Sequence, residues 1–430
     1  SSHVKAFVDM CNYLQEPCHV ARFQKICGVI GSFPVRAKTL DGGESEPDGS
    51  GWRRRAQHRE QCSDANVHGM QSDDCARPEG ASAAAGAESD TVRAKPLRKN
   101  SLTEEVGQEF LINNRFFFYL FTFGTELGNE MFFIVFFPFL FWNVDALVSR
   151  RLIIVWAWNL FLGQSTKDMV RWSRPASPPV VKVEVFYNSE YSMPSTHAMT
   201  GTAIPFCLFM LTYGRWQYAF LFGLSVALGW SVLVCVSRVY MGMHSVLEVI
   251  TGFLYTLLIL AFLCPLLDTI DTFYMTHSSA PLAIVASHVS LGLVAFSLDS
   301  WSTSRGDTAQ ALGTGAGAAL ATHVNYQLGL LLDPPPSSLP LSLHSVSIHA
   351  VVLSMLRFFL GVAVLLVTRM VMKAVTIPFL CRVFGLPADN VRQARQHMRV
   401  ELPYRYMVYS VVGFSCVCVV PLLFRIVNLA

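Results

Sequence analysis

Charge is scarce in this sequence. Of its 430 residues only 15% are Asp, Glu, Lys or Arg, while 52% are hydrophobic. A soluble domain carries about 25% charged residues, so a chain this apolar cannot keep its folded surface in water. The charge that is present nearly cancels, at a net +3. No concentrated basic face results, which removes the case for a nucleic-acid partner. Cysteine lacks organisation too: the 11 cysteines are scattered, and none stands in a CxxC pair or at zinc-like spacing. Neither a disulfide framework nor a metal site is expected from such a pattern. No signal-peptide pattern is visible at the start of the sequence.

What the chain does have is apolar sequence in membrane-sized blocks. Stretches near 117–142, 151–168, 197–213, 216–236, 245–267, 281–299, 309–332, 348–372 and 405–428 approach or exceed the crossing length, which is about 20 residues for a helix. Only helices satisfy every backbone group in lipid with segments of this kind. The expected fold class is therefore all-α, a polytopic membrane helical bundle of about 8–10 spans. The 309–332 stretch is rich in Gly and Ala, suited to close helix packing. Residues 1–30 place Val4, Phe7, Met10 and Leu14, then Val20, Phe23 and Ile26, at helical spacing. That predicts an amphipathic helix lying on a membrane surface or docked on the protein. Residues 31–105 are rich in Gly, Ser, Asp, Arg and Ala with almost no aromatics, a composition expected to give a disordered polar tail.

Ionisable groups beside membrane spans are costly, so their clusters are functional candidates. The first runs from Lys167 to Arg174 and Pro175. The two cations are seven residues apart, two helical turns, and share a face on a continuous helix. They suit an oxyanion, although a positive cap at a membrane edge gives the same pattern. The second is Pro194-Ser195-Thr196-His197, directly before an apolar stretch. A helix start with hydroxyls and N–H donors seats phosphate, and His197 is placed to pass a proton; an ordinary helix start with an incidental His is the plainer account. The third runs from Ser237-Arg238 to His244 and Glu248. Four residues apart on a helix, Glu248 can accept from one nitrogen of His244 and leave the other as a nucleophile. Arg238 adds a third cation.

Taken together, Lys167-x6-Arg174-Pro175, Pro194-Ser195-Thr196-His197 and Ser237-Arg238-x5-His244 resemble the signature of the type 2 phosphatidic acid phosphatase superfamily. There are two departures. Thr196 stands where many relatives carry Gly, and Glu248 stands where Asp is usual. Further segments, Gly124–Glu130, Val185–Met193, Tyr213–Tyr218 and Ala394–Met398, resemble the vertebrate sphingosine-1-phosphate phosphatases in their longer form.

The resemblance implies a phosphatase core over 116–267, carrying all three motifs, and C-terminal transmembrane helices over 268–430. It implies metal-independent hydrolysis of sphingosine 1-phosphate, with Lys167, Arg174, Arg238, Ser195 and Thr196 holding the phosphate. His244 would be the nucleophile, His197 the acid and Glu248 the orienting carboxylate. No cofactor and no metal enters this reading; the partners are a lipid phosphate substrate and membrane lipids. Two alternatives are a broad phosphatidic acid or lipid phosphatase and a non-catalytic lipid phosphate binder or transporter. The resemblance also implies a multi-pass protein of the endoplasmic reticulum membrane with a lumenal active site. Counting spans puts the N-terminal tail and the basic segment from Lys373 to Arg405 on the site's side, which the positive-inside tendency makes cytosolic. A re-entrant segment within 108–142 and another after residue 300 are expected to reconcile the two.

Overall fold

A computed structural model describes residues 2–31, 92–94, 109–184, 190–299, 304–342, 347–385 and 398–429. Most of the expected 31–105 tail, with the sequence segments 185–189 and 394–397, lies outside these residues.

The chain opens with helices α1 (Ser2–Gln15) and α2 (Pro17–Ile26). A small antiparallel sheet follows, from β1 (Val29–Gly31), β2 (Val92–Ala94) and β3 (Phe110–Ile112), in the order β1-β3-β2. This sheet is the one departure from an all-helical chain among the described residues. The bundle consists of α3 (Arg115–Glu126), α4 (Glu130–Asn143), α5 (Ala146–Val170), α6 (Thr196–Thr212), α7 (Phe220–Tyr240) and α8 (Val246–Leu263). After them come α9 (Leu267–Thr276), α10 (Ala280–Leu298), α11 (Arg305–Gln327) and α12 (Ile348–Phe384). The last span runs through α13 (Met398–Phe414), a π turn at Ser415–Val419 and α14 (Val420–Ile426).

All nine expected apolar stretches are helical. Among the described residues six helices are long and apolar enough to cross a membrane, or up to seven with α3 and α4 taken as one span bent by 63°. The two remaining stretches, α6 and α11, lie inside the bundle. Helix α6 has 17 residues, and Thr196, Ala198 to Pro205 and Cys207 in it are buried. Helix α11 buries Arg305, Gln310 and a run of Ala and Gly. Helix α6 is short for a crossing, while α11, shielded by its neighbours, needs no lipid-facing side chains and is less apolar than a span.

Several helix starts are capped by a side chain. Asn114 accepts from Phe117 N to open α3, and Asn129 accepts from Met131 N to open α4. Asp145 caps α5 through Val148 N at 3.3 Å and is also gripped by Arg215 Nη2 at 3.1 Å, tying the far ends of α5 and α6 together. A side-chain oxygen at the cap satisfies an N–H that the helix itself leaves unpaired.

The N-terminal segment is two helices, not one. Helix α1 buries nothing. Helix α2 docks on the protein through Gln24, which donates to Val181 O at 2.6 Å and Tyr240 O at 2.8 Å and accepts from Val181 N at 3.0 Å. Cys27, Val29, Phe110 and Ile112 pack with Val181, Val183, Met241 and Met243 in one buried cluster. The chain entering α3 thus sits at the end of the bundle where α7 finishes. Asn143 ends beside α5's first turn, at the other end, so α3 and α4 traverse the bundle once as a broken span. Cys18 is disulfide-bonded, a pairing that the scattered cysteine pattern did not suggest.

Candidate active site

The first motif does not lie on one helix, as its spacing had suggested. Helix α5 stops at Val170, and Arg171 takes a left-handed conformation (φ 55°) as its C-cap. Lys167 is on the last helical turn, while Arg174 lies on the extended chain beyond. They converge because the chain folds back: Glu190 Oε2 lies 3.5 Å from Lys167 Nζ and 3.2 Å from Arg174 Nη2. Arg174 also donates to Met243 O at 3.1 Å.

The second motif opens α6. Ser195 is the N-cap, its Oγ accepting from Ala198 N at 3.4 Å, and Thr196 Oγ1 accepts from Lys167 Nζ at 3.1 Å. The partial positive charge of the helix start therefore adds to that of the neighbouring lysine.

The third motif straddles the α7–α8 turn. Arg238, in the last turn of α7, donates to Glu184 Oε2 at 2.8 Å. Gly242 then takes φ 71°, and a Cβ there would lie 2.2 Å from Val181 O. Only glycine allows this backbone to pass so close to Val181. His244 precedes α8 instead of lying on it, so helical spacing is not what joins it to Glu248. The link is a capping box. Ser245 N donates to Glu248 Oε2 at 3.0 Å and Glu248 N to Ser245 Oγ at 3.4 Å. That reciprocal pair folds the carboxylate back toward the turn, where Oε2 reaches His244 Nδ1 at 3.1 Å. Ser192 completes the group: its hydroxyl donates to Glu248 Oε2 and lies 3.2 Å from His244 Nδ1.

These groups surround a cavity of about 210 Å³. Lys167, Arg174, Thr196, His197, Arg238 and His244 line it, together with Glu190. Ser195 and Glu248 stand behind its wall, one capping α6 and the other holding His244. His244 is 1% exposed. Burial, and then the positive charges of Arg174, Arg238 and Lys167, hold its imidazole well below the ordinary histidine range. With Nδ1 turned to a carboxylate, a neutral ring carries its lone pair on Nε2.

Sequence spacing did not single out Glu184, Glu190 or Ser192. They sit in the connection between motifs, where no periodicity marks them; the only hint was two carboxylates close to a cationic motif. The opposite wall was missed as well. Glu130, Asp307, Gln310, Arg369, Arg405 and Tyr409, from α4, α11, α12 and α13, all line the same cavity. The C-terminal helices therefore contribute to it as much as the motif-bearing ones. Because Arg405 is paired with Asp307 at 3.1 Å, the beginning of α13 lies at the site's end of the bundle. The N-terminal segment lies at that end too, so the structure keeps the arrangement that span counting gives.

Three converging cations, a histidine backed by a carboxylate and a second histidine in a membrane bundle define a class. Residues 149–270 match the PAP2 superfamily model. Sphingosine-1-phosphate phosphatase 1 of Rattus norvegicus is 50% identical, over 97% of this chain and 97% of its own. Sphingosine-1-phosphate phosphatase 1 of Mus musculus is 49% identical over 98% of each chain, and sphingosine-1-phosphate phosphatase 2 of Homo sapiens is 35% identical over 98% of this chain and 99% of its own. The chain belongs to the sphingosine-1-phosphate phosphatase family. No solved structure matches it.

Proposed function

We propose that this protein hydrolyses sphingosine 1-phosphate and related sphingoid base phosphates to the free base and inorganic phosphate, through a phosphohistidine. The observation that carries the reading is the group of His244, Glu248 and Ser192 beside the three cations.

Lys167, Arg174 and Arg238 hold the phosphoryl oxygens, with Thr196 and the start of α6, capped by Ser195, completing the cradle. Nε2 of His244 attacks phosphorus, and the bond to the lipid oxygen breaks as the P–N bond forms. His197 gives its proton to the departing alkoxide, then takes one from water as that water's oxygen attacks phosphorus and displaces His244. Charge in this transfer is spread over the equatorial oxygens, so fixed cations and N–H donors supply most of the stabilisation. Glu190 and Glu184 keep the cations aimed when the site is empty.

The motif-bearing helices over 116–267 serve as the phosphatase core, and those over 268–430 close the cavity. The family resemblance supports residence in the endoplasmic reticulum membrane with a lumenal site. The shared end of the N-terminal segment, the cavity and the start of α13 then predicts that all three face the lumen. A glycosylation tag at residue 2 would be modified in that arrangement, and an unmodified tag overturns it.

The deciding experiment is phosphate release from a panel of lipid phosphates in detergent micelles with a chelator present. Sphingosine 1-phosphate should be cleaved faster than phosphatidic acid. Equal rates would make the protein a broad lipid phosphatase, and no release from any of them would leave a binder or transporter.

A further inference from the structure

The polar cavity does not end at its far wall. Met131, Phe133, Trp156, Arg369 and Tyr409 line it and also line a second, apolar space of about 110 Å³. That space runs between α4, α5, α11, α12 and α13, and its walls include Ile134, Phe137, Ile153, Leu365 and Val412. It meets the surface of the bundle beside that junction, where Met131 is 54% and Leu366 51% exposed. Polar groups mark the junction. Glu130 accepts from Gln310 at 3.1 Å. The Arg369 guanidinium lies 5.7 Å from the Tyr409 ring centre, and it makes no ion pair among the described residues.

We infer that this slot seats the hydrocarbon chain of the lipid phosphate, which enters from the membrane between α4 and α12. The inference rests on the proposed function. From inside to outside the walls run from cations, through a carboxylate, an amide and a guanidinium, to apolar side chains. A sphingoid base phosphate runs in the same order: phosphate, amino alcohol, chain. Moving the chain from the bilayer into this slot costs little, because its methylenes exchange one apolar surrounding for another.

A second apolar pocket, lined by Phe296, Leu402 and Met407, is the competing seat. It lies on the other side of the α11–α13 pair, with the Arg405, Asp307 and Glu401 ion-pair group filling the gap beside it and backbone contacts closing the pair further along. A Cβ on Gly313 would lie 2.5 Å from Tyr406 O, and one on Gly317 1.9 Å from Ser410 O. Backbones in such contact leave no passage for a methylene.

The test uses a non-hydrolysable sphingoid base phosphonate with a diazirine at the end of its chain, photolysed on the full-length protein in micelles. Labelled peptides should come from residues 131–138 and 365–369. Label on Phe296 or Leu402, or spread over the bundle, overturns the slot. This readout needs no turnover, so it decides the slot even if the protein proves inactive on lipid phosphates. A second measurement uses Leu366→Trp, at the mouth. The ratio of activity on a short-chain to a long-chain phosphate should rise about tenfold, as expected when 1–2 kcal/mol of chain binding is lost. An unchanged ratio, including a parallel fall of both activities, overturns it.

Discussion

Glu248 holds His244 from outside the helix geometry that normally joins residues four apart: Oε2 lies 3.1 Å from Nδ1 while accepting from Ser245 N at 3.0 Å. One carboxylate therefore caps α8 and fixes the ring. Glu248→Gln keeps an acceptor for one of these donors and loses the charge that stabilises an imidazolium. Turnover should fall by on the order of 10²-fold or more. After brief reaction with phosphate-labelled substrate, His244→Ala should carry no acid-labile label, whereas His197→Ala should still carry some. An unchanged rate in Glu248→Gln would make the carboxylate a helix cap alone.

Ser192 touches both members of this pair. Ser192→Ala removes a donor from Glu248 and leaves His244 free to rock. The expected result is roughly a tenfold loss in kcat with little change in KM, and partial recovery in Ser192→Thr. A matched loss in KM would indicate that Ser192 binds substrate.

Glu190 competes with any anion for Lys167 and Arg174. Glu190→Gln should tighten inhibition by inorganic phosphate by about tenfold, a change of about 1.4 kcal/mol. Vanadate, which adopts the trigonal bipyramid of the transferring group, should follow the same trend. Weaker inhibition would mean that the carboxylate's main work is to aim the cations.

The low basicity of His244 has a direct signature. Both burial and nearby cations disfavour its protonated form, so as pH falls it should stay neutral past the point where an ordinary histidine, near ~6.5, is half protonated. Ring resonances of labelled histidine, assigned by their loss in His244→Ala, should show it still neutral where an ordinary histidine is half protonated. A midpoint at or above the ordinary value would mean that water reaches the ring freely.

At the other end of α5, Arg150 is bound by Asp271 at 2.8 Å and by Asp333 at 2.5 Å, and is 4% exposed. Asp271→Ala leaves Arg150 with Asp333 alone and Arg151 with Asp268 alone. It should cost about 1.5–3 kcal/mol, the worth of a hydrogen bond to a charged group, seen as a lower unfolding temperature in detergent. Specific activity per folded molecule should be retained, since the pair lies far from the cavity.

The helices were legible because lipid demands long apolar runs, which the core of a soluble domain seldom needs. The motif residues were legible because charge at a membrane edge is conspicuous. What joins them was not. Lys167 and Arg174 meet through a fold-back stabilised by Glu190, and His244 meets Glu248 through a capping box; neither follows from counting residues along a helix. The far wall of the cavity was hidden for another reason. Glu130, Asp307 and Arg405 are single charges in separate segments, and only tertiary packing brings them together. The 309–332 stretch stood out as a span, yet α11 is buried in the bundle and supplies Asp307 and Gln310 to the cavity.

Gln24 clasps the backbone of Tyr240, which leads into the turn that presents His244, and of Val181, which packs against that turn at Gly242. The N-terminal helices are thus a splint on the loop that carries His244. Trimming the protein before residue 28, or anchoring a bulky fusion there, would loosen a joint beside the proposed nucleophile and lower activity without unfolding a single transmembrane helix.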